Sequence, residues 1–183
     1  MLAKIIRKNV KEALSIEMMS KLVPSWCRVT FYDSLKRHKT LKSAMQGKRC
    51  MIVLYQVHDK KKNVQNKAGH FIIINIGKGG VEYFSSSGWS VGQELAATHS
   101  DPTTFKRLLG KKYIENRVPL EKLGNSNDCW RFCLARAILV DMSLNDFVKL
   151  FQHHLHLQNA DDIVTCLTML HTEAVKRELG KAK

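Results

Sequence analysis

The chain has 183 residues, 44% of them hydrophobic, and its 30 Lys and Arg against 16 Asp and Glu give a formal charge of +14. That length buries roughly two-thirds of the unfolded surface within one domain. Five cysteines, Cys27, Cys50, Cys129, Cys133 and Cys166, are odd in number and form no C-x-x-C pair. This argues against a disulfide framework or a zinc ribbon and for a reducing compartment. Residues 1–10 are broken by charge too often for a signal peptide, and no run approaches the ~20 residues of a membrane span. The expectation is a soluble, non-secreted monomer with no membrane partner and no cofactor.

In chain order, Ile5, Ile6, Val10, Ala13, Leu14 and Met18 recur at helical spacing and predict an amphipathic helix over 4–21, ended by Pro24. Thr40 caps a short helix over 40–46, and the β-branched run 50–57 reads as a buried strand. The lysine-rich segment 59–68 reads as a solvated loop. Strands 70–76 and 81–84 flank Gly77-Lys78-Gly79-Gly80, whose glycines tolerate the positive φ of a tight hairpin. Pairing Ile76 with Val81 brings His70 opposite residues 85–87. Residues 90–109 read as helical, re-started at Ser100-Asp101-Pro102, and 113–118 as a strand. Helices follow from Cys129 to about Asp141, from the Ser143-Leu144-Asn145-Asp146 capping sequence through 157, and over roughly 160–179. The order predicts an α+β fold, with a small, mostly antiparallel sheet packed on helices.

One stretch stands out for chemistry. Asn125-Ser126-Asn127-Asp128-Cys129-Trp130 seats a cysteine behind helix-capping polar residues, where unpaired N–H groups and the helix dipole favour a thiolate near neutral pH. His70, after Gly69 and at the mouth of a strand, is the matching base. A cysteine at a helix start also serves as a small apolar packing residue, as Cys133 one turn on illustrates. Pairing with His70 is what favours the nucleophile.

The order of Gly69-His70-Phe71, then Tyr83-Phe84-Ser85-Ser86-Ser87-Gly88, then Val118-Pro119-Leu120-Glu121 and Asn125 to Cys133 resembles a known family over roughly residues 10–140. It is similar to the adenovirus endopeptidase (adenain), the SUMO proteases and the proteases of Maverick/Polinton-type elements. The resemblance implies a cysteine-peptidase fold over 1–142, with 143–183 as a helical extension packed on it. It implies Cys129 as nucleophile and His70 as general base. The family's orienting acid aligns with Ser85, a weaker orienter. Glu82, three residues away on the opposite strand face, is a poor substitute. The oxyanion-hole glutamine aligns with Leu123 or Gly124, leaving Asn125, Asn127 and the Cys129 amide as donors. Trp130 replaces a glycine.

The function implied is a viral or mobile-element endopeptidase trimming precursor proteins, in a host cell nucleus or cytoplasm or in a virion. An inactive protease-fold binding module is the alternative, and a permuted papain-type acyltransferase is disfavoured because no second histidine follows His70 before His99. The charge attracts polyanions. Lys60, Lys61, Lys62, Lys106, Arg107, Lys111 and Lys112 are the candidate nucleic-acid contacts, beside Lys36-Arg37-His38-Lys39. His153, His154, His156 and His171 fall on different helix faces and form no expected metal site.

Overall fold

The computed structural model describes residues 14–59, 64–77, 79–121, 128–152 and 160–181. The first part of the expected N-terminal helix lies outside them. Helix α1 (Ile16–Leu22) is capped by Ser15, whose hydroxyl accepts from Met18 N–H, and it stops two residues before Pro24. Strand β1 (Cys27–Phe31), a 3₁₀ turn (Asp33–Arg37), α2 (Leu41–Met45), β2 (Cys50–Asp59), β3 (Val64–Gly77) and β4 (Gly80–Phe84) follow. Then come α3 (Val91–Ala97), α4 (Thr103–Leu109), β5 (Ile114–Glu115), α5 (Cys129–Ile138), α6 (Leu144–Lys149) and α7 (Ala160–Lys181). Among the described residues, no helix is long and apolar enough to cross a membrane.

The fold is α+β, and the sheet is mixed, in the order β1-β2-β3-β4-β5. The long β2–β3 and β3–β4 ladders are antiparallel, as expected for most of the sheet, while the edge strands β1 and β5 run parallel to β2 and β4. The hairpin pairs Ile76 with Val81, the expected register. The segment 59–68 is not all loop: past an irregularity between Gln56 and His58, β3 re-pairs with β2 and begins at Val64.

The strand expected over 113–118 shrinks to Ile114–Glu115. Asn116 donates through Nδ2 to Ser85 O and Val118 O and accepts from Val118 N–H, which turns the chain out of the ladder. Helix α5 ends at Ile138 rather than Asp141, where Arg136 takes Leu139 O and Met142 O. Helix α6 ends at Lys149 because the next bonds, Phe151 N–H to Val148 O and Gln152 N–H to Lys149 O, tighten to the i−3 pattern.

Both sheet faces are covered, so β2 and β3 alternate between two cores. Ile52, Leu54, Phe71, Ile73 and Phe84 pack with Trp130, Phe132 and Leu134 of α5 and with Phe147 and Val164 of α6 and α7. Met51, Val53, Tyr55, Ile72, Ile74 and Tyr83 pack with Tyr32, Val91 and Leu95 of α3, and Phe105 of α4. Helix α5 is buried on nearly every side, an arrangement that normally demands an all-apolar sequence. Yet it carries Arg131 and Arg136. Arg131 lies 3.2 Å from Asp128, donates to Thr168 Oγ1 of α7 and stacks over Trp130; Arg136 reaches Glu82 of β4 at 2.5 Å. Each buried cation thus has a buried carboxyl group beside it.

Candidate active site

His70 stands where the two layers meet. The β3–β4 ladder finishes at Ile73 and Phe84, so β3 extends beyond its neighbour and His70, paired only with Tyr55 of β2, is reached by groups from both faces. Gly69 before it is required by close packing: a Cβ there would lie 1.8 Å from Tyr55 O.

The imidazole is held by a chain of hydrogen bonds. His70 Nε2 lies 3.0 Å from Ser85 Oγ, and Ser85 donates its single proton to Glu94 Oε1 at 2.5 Å. Ser87, 2.6 Å from Ser85, donates to the same Glu94 oxygen at 2.7 Å and accepts from Trp89 N–H. With its proton committed to Glu94, Ser85 accepts from His70 Nε2–H, which leaves Nδ1 as the lone-pair nitrogen. The Glu94 carboxylate is itself 3.3 Å from Nε2 and only 2% exposed. Sequence alignment with the family pointed at Ser85 alone. A carboxylate does stand behind Ser85: Glu94 comes from α3, nine residues downstream, and accepts the Ser85 proton. Its sequence signal is the capping box of Ser90 and Gln93, which starts α3 and sets Glu94 in the first turn. Glu82 is occupied elsewhere, with Arg136 and Asn75.

Cys129 heads α5. Its Sγ, a His70 ring nitrogen and a Glu121 oxygen lie within 4.8 Å of one another. The expected thiolate is corrected: the Cys129 thiol is pushed up to about 12, by burial first and by the Glu121 charge second, against hydrogen bonds with the Phe71 and Trp130 backbone that pull it down. A thiol so placed is protonated at neutral pH. The capping expectation is corrected too. Asp128 makes no side-chain capping bond and is itself raised to about 8, because burial outweighs the nearby Arg131. The cap is Glu121: Oε1 accepts from Asp128 N–H at 3.1 Å and Cys129 N–H at 3.2 Å, and Oε2 accepts from Ser86 Oγ at 2.6 Å. The segment bearing Glu121 is fixed by Leu120 N–H and Glu121 N–H on Ser86 O, and by Gly88, whose φ of +70° and missing Cβ admit Pro119 N, 2.5 Å from where a Cβ would sit.

Asn125 and Asn127 lie outside the described residues, as do Lys60, Lys61 and Lys62, and His153, His154 and His156. His171 bonds Leu22 O at 2.7 Å. Lys106, Arg107, Lys111 and Lys112 are exposed, and Arg107 donates to Lys36 O and His38 O. Two basic clusters distant in sequence therefore join on one surface. His70, Glu121 and Cys129 offer N, O and S ligands, but their 4.8 Å spread exceeds the roughly 3.4–3.7 Å between neighbouring ligand atoms that tetrahedral zinc bond lengths imply. Glu121, bonded by three donors, is also committed.

No family model matches the chain and no curated protein matches it. Among solved structures, the central domain of the uncharacterized Lpg1148 protein from Legionella pneumophila is similar at a TM-score of 0.46 and 12% identity, covering 90% of this chain and 99% of that one. At that level the likeness carries no argument about function.

Proposed function

We propose that the protein is a cysteine peptidase whose nucleophile is Cys129, with His70 as general base and Glu94, acting through Ser85, as the orienting acid. Its substrates in this reading are precursor proteins of a virus or mobile element, as the family resemblance implies. The observation that carries the proposal is the convergence of Cys129, His70 and the buried Glu94 relay, drawn from α5, β3 and α3. In the reaction the Cys129 proton passes to His70 Nδ1 as sulfur bonds to the peptide carbonyl carbon and the carbonyl π pair moves to oxygen. Collapse expels the amine, which takes the proton from His70. Water, deprotonated by His70, then hydrolyses the thioester. Because the thiol is neutral at rest, proton transfer and attack must be concerted, and His70 carries more of the burden than in a pre-ionised pair.

Alkylation of the full chain by a peptide chloromethyl ketone at pH 7.5 is expected to fall on Cys129, to vanish in Cys129→Ser and to slow about 10²-fold in His70→Ala. A second reading, an inactive protease-fold binding module, is favoured by the burial of Cys129, 8% exposed. Equal, slow labelling of wild type and His70→Ala would establish it instead.

The joined basic surface supports nucleic-acid contact as an accessory property. Retention on double-stranded DNA is expected to fall steeply between 50 and 200 mM salt, and Lys106→Glu with Lys111→Glu to weaken it at low salt. A flat salt response would remove this part of the reading.

A further inference from the structure

The peptidase reading, on which this inference rests, requires a place for negative charge on the substrate oxygen. The natural donor is the amide of the nucleophile itself. Here that amide is taken: Cys129 N–H donates to Glu121 Oε1, as does Asp128 N–H beside it, while Ser86 Oγ holds the other oxygen. All three groups are donors, so Glu121 is arranged as an acceptor of hydrogen bonds, the role a tetrahedral intermediate's oxygen would play. Glu121 is 8% exposed, and the backbone on either side of it is tied to the Ser86–Gly88 turn. We propose that the Glu121 carboxylate occupies the oxyanion seat and keeps the site latent, so that acyl chemistry begins only when substrate displaces it from the Cys129 amide.

The consequence is an inverted effect of substitution. Glu121→Gln keeps size and shape but removes the charge, and an uncharged amide oxygen holds the Cys129 and Asp128 N–H groups more weakly than a carboxylate does. That change should open the seat. Loss of an ordinary helix cap would instead lower stability and leave the chemistry where it was.

Two probes separate the seat from general thiol reactivity. A peptide aldehyde adds reversibly to Cys129: sulfur bonds to carbon, the C=O π pair moves to oxygen, and the thiol proton, passed through His70, completes a thiohemiacetal. Iodoacetamide alkylates the same sulfur by displacing iodide and develops no oxyanion. With the full chain at pH 7.5, Glu121→Gln is expected to tighten aldehyde binding at least about tenfold more than it speeds alkylation. Ser86→Ala, which frees Oε2 without touching the backbone, should shift both in the same direction by less. The Ser86 variant also keeps the inference testable should Glu121→Gln not fold, since thermal melts report on each.

Aldehyde affinity unchanged or weakened in both variants, with alkylation still dependent on His70, would overturn the role of Glu121 and leave the peptidase reading standing. Alkylation independent of His70, with no aldehyde adduct in any variant, would overturn both.

Discussion

Glu94→Gln should slow His70-dependent alkylation of Cys129 by about 10²- to 10³-fold, somewhat less than the ~10⁴ lost when a serine triad loses its orienting carboxylate. The reasoning is geometric. Glu94 Oε1 collects the protons of Ser85 and Ser87, and that arrangement alone makes Ser85 an acceptor for His70 Nε2–H. A glutamine oxygen in its place can still accept from both hydroxyls but carries no charge, so it holds the Ser85 proton more weakly and fixes the ring's tautomer less firmly. The imidazolium formed during attack also loses the carboxylate that lies 3.3 Å from Nε2. The defect should appear in the rate of labelling and not in the apparent affinity for the peptide, because Glu94 is buried behind the histidine. A variant that labels at the wild-type rate would show that the relay plays no part in catalysis.

The second large effect concerns stability. Glu82→Ala should destabilise the protein by about 3–5 kcal/mol, seen as a fall in Tm of roughly 6–20 °C. Arg136 is 1% exposed and its guanidinium bonds Glu82 Oε2, Leu139 O and Met142 O; Glu82 also accepts from Asn75 Nδ2, which reaches Val140 O as well. Removing the acid strands a cation inside the interface between the sheet and α5, where no solvent compensates. Replacing both partners, Glu82→Leu with Arg136→Met, should recover most of the loss, since the pair's own net contribution is small beside the cost of orphaning one member. If the single and double variants melt alike, the pair is not the cause.

Much of this architecture is written locally. The hairpin follows from Gly77 to Gly80 between two apolar runs, and its register, Ile76 against Val81, is the one turn geometry dictates. Ser15, Thr40, Ser90 and Ser143 cap helices in the way their side chains allow. His70 and Cys129 come together as the resemblance implies. What remained hidden depended on tertiary placement. Strand β1 does alternate, with Cys27, Val29 and Phe31 on one face and Arg28 and Thr30 on the other, but the run is only five residues long and its place in the sheet comes from pairing with β2. Glu94 reads as an ordinary acid in a helical first turn until α3 is laid against the end of the sheet. Glu121 reads as the tail of a strand, yet it caps a helix across an intervening segment. The thiolate expectation failed for the same reason: burial first and the Glu121 charge second outweigh the backbone hydrogen bonds that favour the charged sulfur.

The length of chain between the contributors to the site has a consequence for biosynthesis. Imidazole and acid leave the ribosome first, on a hairpin and a helix that form from near neighbours; the sulfur arrives only after another stretch of chain, and α5 must then insert between the sheet and the last helices. If the protein is the proposed peptidase, a half-made polypeptide has no organised means of attacking its own backbone or that of adjacent chains. On that reading, protection during translation is built into the order of parts.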